Sequence, residues 1–284
     1  MSAGLRTQFP RTLIAVGLAP PLVAHIRQFV GSAASLESVP SVQAALTIVE
    51  RTLDTCVLCP VPSERDLDQI AGYEHLHTRY PHVPIIAFFQ EGASAHRAIM
   101  VLGRIGLTDL VSVDGELAAS PLRQALRRAH ALGVSSRVWD GCRPRLPDAL
   151  VTLLKTALRV AHEPISTGAF AAAAQMSERS LRQYCEDRQL PSPQWIIGWA
   201  RLLIAGYYLD EPGRTIAQVA ELLQYPSACA LRNQLRRYTG TSPRALRSTG
   251  ATLALCQALE QSLSSPMTQT PLHHLAPAPL RLVR

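Results

Sequence analysis

Lysine is nearly absent from this 284-residue chain: of 28 basic residues only Lys155 is lysine, and the rest are arginine. That leaves a single candidate for amine catalysis and no Gly-Lys-Ser/Thr phosphate loop. The base composition of the gene accounts for the arginine bias as a whole. Arginine's planar fork nevertheless suits phosphate and guanine recognition. Cysteine is sparse too. Cys56, Cys59, Cys142, Cys185, Cys229 and Cys256 are the only ones, and only the first two are close. This density excludes a small disulfide-rich secreted scaffold, and the cytoplasm is the expected compartment. Long apolar runs are also missing. Leu13 to Ala24 spans 12 residues and is broken by Pro20-Pro21, whereas a bilayer-crossing helix needs about 20. Arg6 and Arg11 give that run the outline of a signal peptide. A strand followed by a helix explains it better, and no small-residue cleavage site follows.

What is present is ample apolar material and a lopsided charge. Hydrophobic residues make up 47% of the chain, enough for packed cores, and the length suits two domains. The net charge of +7 is unevenly placed. Residues 1–135 carry 11 arginines and 11 acids, whereas residues 136–284 carry 17 basic and 10 acidic side chains. Such asymmetry points the second half toward a polyanion, most often nucleic acid. A merely soluble basic surface is the alternative.

The first half alternates short apolar runs with helical spacing. Strands are expected at Thr12–Val16, Ala34–Val39, Thr55–Cys59, Val83–Phe89 and Leu110–Val113. Helices are expected at Pro21–Val30, Val42–Thr52, Glu64–Tyr80, Ala93–Ile105 and Leu117–Leu132. Five strands in this rhythm predict an α/β, flavodoxin-like domain with a five-stranded parallel sheet over residues 1–133.

That rhythm resembles the receiver domains of response regulators over roughly residues 10–133. The resemblance implies a phospho-accepting aspartate ending the third strand and Mg²⁺-binding acids after the first. It also implies Ser or Thr ending the fourth strand and Lys ending the fifth. Here Cys59 stands in place of the aspartate, and Gly17, Leu18 and Ala19 follow the first strand. Phe88-Phe89 end the fourth strand, and Ser112-Val113 occupy the lysine region. Mg²⁺ needs carboxylate oxygens, so the reading is a pseudo-receiver without phosphorylation, serving dimerisation, docking or ligand input. A small-molecule site at the carboxyl ends of the strands stays open.

Cys56-x-x-Cys59 lies in an apolar strand rather than at a helix start, so buried structural thiols are expected over redox or metal chemistry. His75, His77 and His82 show no recognised metal pairing with it, and two more ligands would be needed. His273-His274 is an equally isolated pair. No metal, cofactor or catalytic residue is expected, and the chain reads as no enzyme.

The second half contains a repeat. Ser177-Glu178-Arg179-Ser180-Leu181-Arg182 matches Ser227-Ala228-Cys229-Ala230-Leu231-Arg232 at an offset of 50. Gln183 maps to Asn233, and Ser192-Pro193 to Ser242-Pro243. Upstream, Phe170-Ala171-Ala172 mirrors Val219-Ala220-Glu221 at an offset of 49, so the second turn is one residue longer. Ser is a favoured N-cap, and Thr215-x-x-Gln218 fits a capping box. Leu181 with Cys185, and Leu231 with Leu235, share an inward face. These are two helix-turn-helix units in an all-α region, joined by a long helix, Pro193 to Leu209. Its 17 residues would span about 25 Å. That could present two recognition helices to major-groove segments about 34 Å apart.

At these residues the chain resembles the AraC-type DNA-binding domain over 146–249. FAAAAQMSERSLRQYCEDRQLPSP, WIIGWARLLIAGYYLDEPGRTIAQVA and ELLQYPSACALRNQLRRYTGTSP carry the resemblance. It implies a sequence-specific regulator. Its partners would be duplex DNA, RNA polymerase and a second copy through the receiver-like domain, with no membrane involved. Base readout is expected from Arg179, Arg182, Gln183, Ser227 and Asn233. Phosphate contacts are expected from Ser177, Arg232, Arg236 and Arg237. Where the family has Gly in the second turn, this chain has Gln224, with Gln175 in the first. Leu231 and Leu235 replace an aromatic pair. The weak donor set at 227–230 keeps open a second reading, a protein-interaction adaptor that no longer reads sequence. Residues 134–145, with Gly141 and Pro144, read as a linker. Residues 250–284 read as a terminal helix, Ala251–Leu263, and a proline-rich tail without fixed structure.

Overall fold

The computed structural model describes residues 9–52, 54–62, 66–89, 107, 109–113 and 119–264. Strands β1 (Thr12–Val16), β2 (Ser35–Val39), β3 (Thr55–Pro60), β4 (Ile85–Phe89) and β5 (Asp109–Ser112) form one sheet. All pairings are parallel, and the order is β2-β1-β3-β4-β5. This is the doubly wound, flavodoxin-type order. Leu13 sits opposite Leu36 on one side and Cys56 on the other, and Cys59 sits opposite Ala87.

Successive residues of a strand face opposite sides of the sheet, so β1 serves two cores. Leu13 and Ala15 pack against Val23 and Ile26 of α1 (Pro20–Val30) and Leu122 and Leu126 of α4 (Ala119–Cys142). Ile14 and Val16 pack against Val42 of α2 (Val42–Val49) and Tyr73 and Leu76 of α3 (Leu67–Arg79). Both faces are covered, which is why β1, β3 and β4 read as continuous apolar runs. The helix expected at Ala93–Ile105 lies outside the described residues, as do the proline-rich tail and His273-His274.

The stretch read as a linker is a correction. Residues 134–142 are not a loop, because α4 runs unbroken through Gly133 and Gly141 to Cys142. A helical glycine costs about 1 kcal/mol relative to alanine. Val134 and Val138, four apart, are fully buried in the second domain's core, and each such burial is worth roughly 1.5–3 kcal/mol. Burial outweighs the glycines. Helix α4 therefore belongs to both halves: Ala129 still packs in the sheet's core, and Val134 already packs in the helical one.

The helical region comprises α5 (Asp148–Val160), α6 (Thr167–Ala173), α7 (Glu178–Asp187) and α8 (Pro193–Leu209). It continues with α9 (Ile216–Leu222), α10 (Ala228–Thr239), α11 (Pro243–Ser248) and α12 (Ala251–Ser264). Helix α8 is apolar nearly all round and is buried almost throughout, as expected of a helix surrounded by others. It packs against α4, α5, α6, α9 and α12.

A polar seam joins the two halves. Asp54 precedes β3 and is buried. Its carboxylate lies 3.5 Å from both His130 Nδ1 and Arg137 Nη2 on α4, and accepts from the Arg11 amide at 3.1 Å. His130 Nε2 meets the Tyr208 hydroxyl at 3.0 Å, and Arg137 donates to Tyr207 Oη at 2.8 Å. Arg11 also pairs with Glu211 at 3.1 Å, just beyond α8.

Candidate nucleic-acid interface

The repeat in the sequence becomes a repeat in geometry. Helices α6 and α9 are each seven residues long and start at positions 49 apart. Helices α7 and α10 start 50 apart. Ser166 and Thr215 cap the first helices, and Ser177 and Ser227 cap the second. Ser177 Oγ accepts from the Ser180 amide at 3.0 Å, and Ser227 Oγ from the Ala230 amide at 3.1 Å. The capping box expected at Thr215 is formed in full: Gln218 donates its amide to Thr215 Oγ1, and its side chain accepts from the Thr215 amide at 2.8 Å. Satisfying these orphan donors fixes where each of the four helices begins.

The turns that precede α7 and α10 are left-handed without glycine. Gln175 has φ +58° and Gln224 has φ +53°. The glutamines adopt the backbone that glycine would favour, so both turns enter the left-handed region at the same point after the first helix, at a cost in strain.

The inner faces anchor both units. Leu181 and Cys185 of α7, and Leu231 and Leu235 of α10, are buried in the common core. Arg201 of α8 is a feature the sequence reading missed. It is buried; its Nη2 donates to Leu223 O at 2.6 Å and its Nη1 to Ala161 O at 3.3 Å. Its guanidinium stacks over Tyr225, 4.5 Å from the ring centre. One buried cation thus caps the C-termini of α5 and α9, where helix dipoles favour positive charge. The available signal was a lone arginine inside an otherwise apolar helix.

The outer faces hold the residues proposed from sequence. Ser177, Arg179, Arg182 and Gln183 are exposed on the first unit. Ser227, Arg232, Asn233, Arg236 and Arg237 are exposed on the second. Several are engaged within their own helix: Arg182 pairs with Glu178, Gln183 donates to Asp187 at 2.7 Å, and Asn233 approaches Cys229 Sγ at 3.7 Å. Exposed pairs of this kind are worth at most about 1 kcal/mol, so a stronger partner such as a phosphate or a guanine can displace them. Ser177 and Ser227 are N-caps first, and the Ser177 hydroxyl also meets the Ser180 hydroxyl at 2.7 Å.

At the carboxyl end of the sheet, Val16, Gly17, Pro40, Ser41, Gln43, Pro60 and Asp68 are among the residues lining a cavity of about 230 Å³. Cys59 is buried in β3, its thiol 3.9 Å from Ile86 O. Burial pushes that thiol up to about 12, and pushes Cys56 well above its ordinary value. Neither is a thiolate at neutral pH, which removes the premise of nucleophilic chemistry there. His75 and His77 lie on α3 and His82 follows it, and no cluster of three metal-ligating side chains occurs among the described residues. No described helix is long and apolar enough to cross a membrane.

Residues 170–249 match the family described as "Helix-turn-helix domain". No curated protein matches the chain. Among solved structures, the DNA-binding domain of AdpA, a global transcriptional factor in complex with a target DNA, is 31% identical. The match covers 36% of this chain and 93% of that one, with a TM-score of 0.30. A signal receiver domain of an HD domain-containing protein from Pseudomonas fluorescens Pf-5 is 17% identical, covering 46% and 93%, with a TM-score of 0.39. A CheY-like protein (tadZ) from Pseudomonas aeruginosa PAO1 is 18% identical, covering 42% and 98%, with a TM-score of 0.37.

Proposed function

We propose that this chain, whose residues 170–249 form a helix-turn-helix domain of the AraC type behind a receiver-like α/β domain, is a sequence-specific transcription regulator. The observation that carries the reading is the duplicated, Ser-capped second helix, each copy anchored inward by two buried residues and carrying arginines and an amide on its exposed face. Arg179, Arg182 and Gln183 would supply most base readout, because arginine pairs with guanine and glutamine with adenine through two hydrogen bonds. Ser227 and Asn233 would add a weaker share. Arg232, Arg236, Arg237 and the Ser177 cap would hold phosphates; Arg236 and Arg237 lie in the last turn of α10.

The receiver-like domain would work without aspartyl phosphate, as a dimerisation or input module, since a buried thiol occupies the acceptor position and Gly17 follows β1. RNA polymerase would be the further partner, and the cytoplasm the compartment.

The test is selection of bound fragments from genomic DNA by the full chain, followed by titration at several salt concentrations. A shared motif with half-sites about 10 base pairs apart is expected. Arg182→Ala should cost about 1–3 kcal/mol on that motif and relax its sequence preference. Arg236→Ala should weaken matched and scrambled DNA alike and flatten the salt dependence. Absence of salt-dependent DNA binding would overturn the reading and leave the adaptor, a protein-interaction module on the same fold.

A further inference from the structure

We propose that Cys142 and Cys256 form a two-thiol redox site that closes reversibly to a disulfide when a hydroperoxide oxidises it. The two residues are 114 positions apart in sequence and come from different helices. Cys142 is the last residue of α4, and Cys256 lies in the second turn of α12. These helices pack against each other. The Cys142 thiol reaches over the first turn of α12, 3.8 Å from Thr252 O, one helical turn before Cys256. Both thiols are free.

The placement differs from that of the other cysteines. Cys56 and Cys59 are sealed inside the sheet, while Cys185 is buried alone and Cys229 is exposed alone. Cys142 is half-buried at the end of its helix and gives small oxidants access, while Cys256 behind it is buried. Their mutual interaction also sets the two thiols apart: it raises Cys142 and lowers Cys256 against that residue's own burial and the nearby Glu260 carboxylate. A thiolate, not a thiol, is the nucleophile. Glu260 is itself anchored by the Arg145 amide at 2.7 Å.

The chemistry balances with the hydroperoxide as oxidant. The thiolate sulfur attacks the peroxide oxygen, the O–O bond breaks, and the leaving alkoxide or hydroxide takes a proton. One thiol has become a sulfenic acid, and the peroxide has been reduced to an alcohol or water. The neighbouring sulfur then attacks the sulfenic sulfur, the S–O bond breaks, and water leaves with that thiol's proton. Each sulfur has lost one electron. The product ties the end of α4, the helix both domains share, to α12, which rests on α8.

The site stands whether or not the chain binds DNA, and its test does not involve DNA. The reduced full-length protein would be treated with hydrogen peroxide, alkylated, digested and mapped by mass spectrometry. The expected product is one linked peptide pair joining Cys142 to Cys256, lost on reduction with dithiothreitol. Cys142→Ser and Cys256→Ser should each abolish it while keeping the native circular dichroism. If a serine variant fails to fold, the map of the wild-type chain decides alone. Full alkylation of both residues at peroxide doses that oxidise the exposed Cys229 would overturn the proposal. So would a sulfinic acid at either residue without a linked product.

Discussion

Gln175 and Gln224 hold left-handed backbone with side chains that disfavour it. For an L-residue that conformation costs roughly 1–2 kcal/mol. Glycine escapes the cost but loses about 0.4–1 kcal/mol through its freer unfolded chain. Gln224→Gly should therefore stabilise the fold by up to about 1 kcal/mol, read as a higher urea midpoint at unchanged slope. A lower midpoint would mean that the glutamine side chain contributes more than its backbone costs. Arg201 sits at the other extreme. Its guanidinium satisfies two carbonyls that end different helices, so Arg201→Leu leaves both acceptors unpaired in the core. A loss of roughly 2–4 kcal/mol is expected. Arg201→Lys should recover little, because one ammonium cannot reach two divergent carbonyls and stack on Tyr225 as well. These two residues also mark what a sequence gives up easily and what it hides. The missing glycine of the second turn was visible through the family resemblance. Arg201 was hidden because nothing local says that an arginine will be buried; that depends on carbonyls 40 and 22 residues away.

Elements were legible wherever pattern and packing agree. Helix α8 was expected at Pro193 to Leu209, after Ser192, and the structure has those limits. The paired helices of each unit were legible through their serine caps. Helix α4 was not, because Gly133 and Gly141 read as breaks, whereas tertiary burial of Val134 and Val138 carries the helix across them. Glycine has a different role within α8. A Cβ on Gly206 would lie 2.7 Å from Leu255 Cδ1 and 3.2 Å from the Thr252 backbone. Leu255 can turn aside, but the Thr252 amide is held by Asp210 Oδ2 at 2.9 Å, next to the Ala251 amide on Oδ1. The first turn of α12 is thus pinned where it would need to move. Gly206→Ala should cost about 1–3 kcal/mol through overpacking, despite alanine's better helix propensity, and should lower the thermal midpoint. A raised midpoint would show that α12 can slide on α8.

At the scale of the whole molecule, the two halves share a helix and a buried polar seam, and both depend on groups that resist taking up a proton in acid. His162 is pushed down to about 3, first by desolvation and then by the positive charges of His130 and Arg201. Its Nε2 meets Ser135 Oγ at 3.0 Å on the shared helix. His82, beside α4, is lowered for the same reasons, desolvation first and Arg137 second. An imidazole that protonates in the unfolded chain near 6.5 but not in the folded one makes stability fall as pH drops below that value, by up to about 1.4 kcal/mol per pH unit per group. Asp54 acts lower on the scale. Burial raises its carboxyl, but the close approach of His130 and Arg137 at 3.5 Å and the hydrogen bond from the Arg11 amide more than offset that, so it lies below its ordinary 3.8. Its contribution is complete above the ordinary carboxylate range and is lost as pH falls through the lowered value. The full chain should therefore lose stability in two stages, a gradual decline below about pH 6.5 and a steeper one below about pH 4. His162→Gln should flatten the first stage, leaving the residual slope that His82 supplies, without touching the second. Asp54→Asn should lower stability at neutral pH and remove the second stage only. Urea midpoints collected from about pH 7.5 down to about pH 2 separate these outcomes. A first stage that survives His162→Gln at full slope would show that this histidine takes up its proton in the folded chain, and that the junction between the domains is open to water.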